Sequence, residues 1–176
     1  DDETKVIAGK VRDAFSGLFG GGLGGAIEFE AALARVVAKS GAGEAALQKL
    51  KTAAQEWARA VGLGADGSTQ AARALEFLTG AGLSTDQAIA ALGSTLRVAK
   101  NEQISTQQAA TALTDVLSVM GLKYEEAARA GDVLQKSADL TSTSVSALAE
   151  AIRRGGGEAV KTGLTFEQTV TILTAF

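Results

Sequence analysis

Two glycine spacings in the chain carry the most specific chemistry a first reading can offer. Gly20-x-Gly22-x-x-Gly25 and Gly62-x-Gly64-x-x-Gly67 match the fingerprint whose glycines let backbone approach a dinucleotide pyrophosphate. That fingerprint works only where a buried strand enters the turn and a helix N-terminus leaves it toward the phosphate. No strand-like stretch precedes either copy, and no Gly-Lys-Ser/Thr follows to make a Walker loop. Both are therefore expected to be turns. Carboxylates come next: Glu125-Glu126 with Asp132, or Glu102 with Asp115, could share acid and base roles if one of them were desolvated enough to hold its proton. Nothing apolar and concave is expected around them, so they read as solvated helix faces. The chain has no His and no Cys, which removes the commonest general base, the commonest metal ligand and the thiolate nucleophile. No enzyme, metal or cofactor is expected. Arg153-Arg154 followed by Gly155-Gly156-Gly157 reads as a helix end, with cations facing the negative pole and glycines closing the turn.

Charge and composition narrow the partners. The 176 residues hold 17 Lys and Arg against 20 Asp and Glu, a net charge of −3, without the clustered cations that phosphate contacts need. No specific nucleic acid is expected. No run of about 18 apolar residues offers a plain membrane-spanning helix. The chain opens at Asp1 and stops at Phe176 inside a helical pattern that began at Thr165, so it reads as a piece of a longer protein, truncated at its C-terminus.

The elements that must hold these residues announce themselves by a repeated phrase. Leu83-Ser84-Thr85-Asp86-Gln87 returns as Ile104-Ser105-Thr106-Gln107-Gln108, Leu122-Lys123-Tyr124-Glu125-Glu126 and Leu164-Thr165-Phe166-Glu167-Gln168. A Ser or Thr at that place accepts from the first free N–H groups of a helix, and a Gln three residues on bonds back to the cap backbone. Ser68-Thr69-Gln70 and Leu140-Thr141-Ser142-Thr143 look like weaker copies. Phrase starts at 83, 104, 122, 140 and 164 are too unevenly spaced for a solenoid of one fixed period. Apolar residues fall at helical steps throughout, most clearly Leu47, Leu50, Ala54, Trp57 and Val61, and no alternating strand pattern competes. The expected fold is all-α, an irregular bundle of eight or nine short helices joined by glycine-containing turns such as Gly80-Ala81-Gly82, Gly121 and Gly163. Residues 1–25 would form an N-terminal helix, carrying Ile7, Val11, Ala14 and Leu18, and a Gly-rich hinge; residues 26–176 would form the helical core.

One stretch stands apart. From Ala14 to Ile27 there is no charge, and six glycines are mixed with bulky apolar side chains in the manner of a fusion peptide. Phe15, Leu18, Phe19, Leu23 and Ile27 are the candidate contact residues, toward a membrane or a tube wall, with a core-completing hinge as the other reading.

Taken in order, Phe29-Glu30 with Leu33 and Val36, then Ala74-Leu75, Leu78, Ala81-Gly82-Leu83-Ser84, then Gly121-Leu122 and Gly131-Asp132-Val133-Leu134, resembles the core of bacteriophage tail tape measure proteins. The resemblance runs from about Phe29 to the end, with Gly131 standing where that family has a helix-forming residue. It implies a virion structural protein of the tail, made in the host cytoplasm, that sets tail length during assembly and leaves with genome ejection. Tail tube protein, tail tip or baseplate proteins and assembly chaperones are the implied partners, with several copies of the chain together; a host membrane is a further candidate partner, which the Gly-rich stretch and not the resemblance brings in. A helical adaptor or scaffold and a membrane-active protein are the alternatives.

Physical chemistry is compatible with that implication. Much of the core must come from alanine, whose methyl is worth about 0.8 kcal/mol when buried. Ordering a residue's backbone costs about 1–2 kcal/mol. The helices are therefore expected to be marginally stable, and a chain without disulfides and with many glycine joints could be drawn out through a narrow channel.

Overall fold

The structure is a computed structural model that describes residues 22–40 and 43–175. Among them are eight α-helices: α1 (Gly22–Ser40), α2 (Glu44–Val61), α3 (Gly67–Gly80), α4 (Thr85–Asn101), α5 (Thr106–Val119), α6 (Ala127–Thr141), α7 (Val145–Lys161) and α8 (Phe166–Leu173). A single 3-10 turn, Tyr124–Glu126, leads into α6, and no strand occurs among the described residues. The all-α expectation holds.

Three helices start by the device the sequence announced. Ser84, Ser105 and Thr165 each accept from the backbone N–H three residues on, while Gln87, Gln108 and Gln168 accept from the cap backbone. At the third copy Lys123 has no hydroxyl, but Glu126 Oε2 still accepts from its N–H at 2.9 Å. The two weaker copies fail. Helix α3 starts at Gly67 behind Asp66, so Ser68 lies inside its first turn, and α6 runs through Thr141 to a left-handed Ser142 before Ser144 caps α7. With the caps corrected, Asp66, Ser105 and Ser144 are 39 residues apart, as are Ser84 and Lys123, whereas Gly43 and Ser84 are 41 apart and Lys123 and Thr165 are 42 apart.

Two caps about 40 residues apart start helices that pack on one another. Each helix packs against its neighbour in sequence and against the helix two further on, α1 on α3, α2 on α4, and so to α6 on α8. Two rows result, odd helices in one and even helices in the other, stacked like a short α-solenoid in which every substantial helix contact is local. Between the rows runs one continuous core, whose largest members are Leu33, Leu50, Leu75, Leu78, Leu92, Leu96, Leu113, Leu117, Leu134 and Ile152. Alanines make up nearly half of it, and small residues set how closely the rows approach. A Cβ on Gly93 would lie 2.5 Å from the Trp57 ring, and one on Gly131 would lie 2.8 Å from Ser94 Cβ. Glycine at 131 thus leaves α6 unbroken and brings it against α4. The few buried hydroxyls are satisfied within their own helices: Thr79 donates to Leu75 O at 2.9 Å, Ser94 and Thr95 to Ala91 O at 3.1 and 2.9 Å, and Thr169 to Thr165 O at 2.9 Å.

Two expectations about glycine runs are corrected. Within the hinge proposed up to residue 25, Gly22 to Gly25 already belong to α1, four residues before the expected restart at Ala26. Gly155-Gly156-Gly157 do not end a helix but lie inside α7, which continues to Lys161. Packing overrides propensity there, because Gly156 is buried and a Cβ on it would sit 2.8 Å from Val119 and 3.0 Å from Met120 Sδ.

Candidate functional site

The structure disperses the residues whose spacing suggested chemistry. Gly62 and Gly64 both have positive φ, 68° and 77°, and form the turn between α2 and α3, while Gly67 packs on Ala58 and Leu63. Helix, not strand, precedes them, so the pyrophosphate geometry is absent. In the other copy Gly20 lies outside the described residues and Gly22 and Gly25 are helical. The acidic pairs separate as well. Glu125 accepts from Gln87 at 3.4 Å, Glu126 pairs with Arg129 at 2.6 Å, and Asp132 pairs with Arg97 at 3.2 Å. Hydrogen bonds from the Lys123 backbone and Arg129 hold the Glu126 carboxyl below its ordinary range, the opposite of what a proton donor needs. No group of three metal-ligating side chains occurs among the described residues.

Arg153 and Arg154 do not cap a helix end. Both reach back to Glu150, at 2.7 and 2.8 Å, and the hydrogen bond from Arg153, reinforced by Arg154, pulls the Glu150 carboxyl down to about 2. Arg153 is raised in turn, chiefly by the same bond. This ion cluster rims a shallow groove of about 340 Å³ between α5 and α7, lined by Gln107, Thr111, Asp115, Ser146 and Ala149. Its polar lining is made of amides, the Thr111 and Ser146 hydroxyls and the charged Asp115, Glu150 and Arg153.

What the charged residues do is tie stacked helices together. Arg35 Nε donates to both oxygens of Glu76 at 3.0 Å, linking α1 to α3. Lys49–Asp86 links α2 to α4, Arg97–Asp132 links α4 to α6, and Arg129–Glu167 links α6 to α8. Two ties, invisible to sequence reasoning because their partners lie about 40 residues away, act on helix poles. Lys100 Nζ donates to Val61 O at 2.5 Å and Gly62 O at 3.3 Å, closing the negative end of α2 with a cation. Glu102 accepts from Val145 N at 3.1 Å, putting an anion on the positive end of α7, and also from Gln135 Nε2 at 3.3 Å. Its role is therefore a cap between helices, not half of a carboxylate pair with Asp115.

Of the candidate contact residues, Phe15, Leu18 and Phe19 lie outside the described residues. Leu23 is in the first turn of α1. Ile27, on the next turn, is 60% exposed, an apolar side chain left in solvent. No described helix is long and apolar enough to cross a membrane.

Comparison with known proteins supplies the family. The model of the family described as phage-related minor tail protein matches residues 51–176. The chain belongs to that family. Phage minor tail proteins are structural parts of the virion tail, which is the location this membership supports. The chain is also similar to the tape measure protein of Pneumococcus phage Dp-1, 29% identical over 145 residues, which are 81% of this chain and 12% of that relative. It thus spans about an eighth of the length of the curated relative it matches. No solved structure matches.

Proposed function

We propose that the chain is a folded part of a tail tape measure, the protein that sets tail length during assembly and is released as the genome is ejected. The observation that carries this reading is the family match across both rows of the stack, joined to the likeness to a tape measure protein over most of the chain. It acts without catalysis, in several copies, beside tail tube subunits and tail tip or baseplate proteins, with assembly chaperones holding it in the host cytoplasm beforehand. Phe15, Leu18, Phe19, Leu23 and Ile27 would be its contact with the tube wall or, at ejection, with the host membrane; the exposed Ile27 supports such a contact.

The test is a ruler experiment in the phage itself. Deleting residues 105–143, one repeat from cap to cap, removes about 59 Å of length when the chain lies drawn out in the tail as one continuous helix at 1.5 Å per residue. Tails measured by electron microscopy should shorten by a constant amount of that order. Tails of unchanged length would end the reading.

A further inference from the structure

The middle helices of the two rows use their polar residues differently. In the even row, α4 has three charged side chains and each ties it to a row neighbour: Asp86 to Lys49 and Lys100 to the Val61 and Gly62 carbonyls at the end of α2, and Arg97 to Asp132 on α6. The row also interlocks sterically, because the Trp57 ring of α2 closes over Gly93, and Ser94 of α4 seats against Gly131 of α6. In the odd row, α5 has one charged residue, Asp115. Its Gln108 pairs with the Ser105 cap and its Thr114 donates to Ala110 O at 2.8 Å, and among the described residues no hydrogen bond or ion pair joins α5 to α3. On its other side, Val119 and Met120 close on Gly156 of α7. The α3–α5 joint is therefore apolar contact alone. Apolar attraction has no preferred direction, so such a joint slides and widens at little cost, whereas a hydrogen bond weakens steeply once bent or stretched.

We propose that the even row is the stiff spine of the stack and that the joint between α3 and α5 is a hinge, so that the stack bends by opening and closing its odd face there. The inference rests on α3, α4 and α5, each with a described helix on both sides in its row, and does not depend on the tail reading. The chain has no Cys, so introduced cysteine pairs are its only thiols, and spin labels on them give distance distributions by pulsed electron paramagnetic resonance on the 176-residue chain. Three pairs at exposed positions compare the joints: Gln70→Cys with Thr111→Cys across α3–α5, Ala90→Cys with Ala128→Cys across α4–α6, and Thr111→Cys with Ala147→Cys across α5–α7. The first distribution should be roughly twice as broad as the other two. Adding Arg97→Gln and Gln87→Ala, which removes the ties to Asp132 and Glu125, should broaden the second toward the first, with circular dichroism confirming that the helices remain. Equal widths at all three joints, the greatest breadth at α4–α6 or α5–α7, or an α4–α6 pair that stays narrow without its ties would each overturn the proposal.

Discussion

Single residues in this chain act mainly by joining helices that are far apart in sequence. Glu102 is the sharpest case, since its carboxylate serves the first N–H of α7 and the Gln135 amide together. Replacing it with Ala should destabilise the chain by about 1 kcal/mol, the usual worth of a charged group on a helix N-terminus, and chemical denaturation should show it as a lower midpoint. At two C-terminal turns, Gln103 and Ser142 adopt φ of 54° and 53°, where an L side chain is strained. Ser142→Gly should therefore raise stability by up to about 1 kcal/mol, because glycine takes that conformation without the Cβ clash. Acid acts through Glu150, whose pKa falls from 4.5 to about 2 in the folded chain. A depressed carboxyl contributes stability fully above 4.5 and loses it as pH falls toward 2, so unfolding should ease across that window. In Glu150→Gln the acid dependence should be shallower; an identical pH profile for the two proteins would show that the cluster with Arg153 and Arg154 contributes nothing.

At the scale of the element, local rules were legible where the needed partner was local. Ser84, Ser105 and Thr165 each sit three residues from a glutamine, and all three make the reciprocal cap. The same phrase misled at Ser68 and at Thr141, because a hydroxyl that can cap need not. The preceding helix continued through Thr141, and α3 had already begun at Gly67. Ser105→Ala should cost about 1 kcal/mol while Ser68→Ala stays within about 0.5, a contrast that thermal denaturation of the two variants would display. Glycine runs were misread for the complementary reason. Propensity places Gly155 to Gly157 outside a helix, yet the contact of Gly156 with Val119 and Met120 needs α7 to continue, and no single-sequence signal carries that contact. The second glycine fingerprint was legible as a turn, since no strand-like stretch precedes it, and Gly62 and Gly64 do take positive φ between two helices. Lys100 and Glu102 as ties between helix poles were not legible, because they depend on which helices the stack makes neighbours.

For the molecule as a whole, the question is whether its two rows form a compact body or one continuous rod. Drawn out as a single helix, 176 residues would reach roughly 260 Å at 1.5 Å per residue. Folded, they should have a radius of gyration near 16 Å. The capped starts at Ser84, Ser105, Ser144 and Thr165 and the glycine turns with positive φ at Gly82, Gly121 and Gly163 all oppose the rod. Small-angle scattering on the isolated chain should therefore give the compact value. Heat should then unfold it well below the hyperstable range above about 90 °C, because so much of the core is alanine. The two measurements bear jointly on passage through a narrow tube. A compact chain that melts early can be folded when alone and drawn out when pulled, whereas a rod-like profile, or a midpoint above 90 °C, would mean that its helices are not made to come apart.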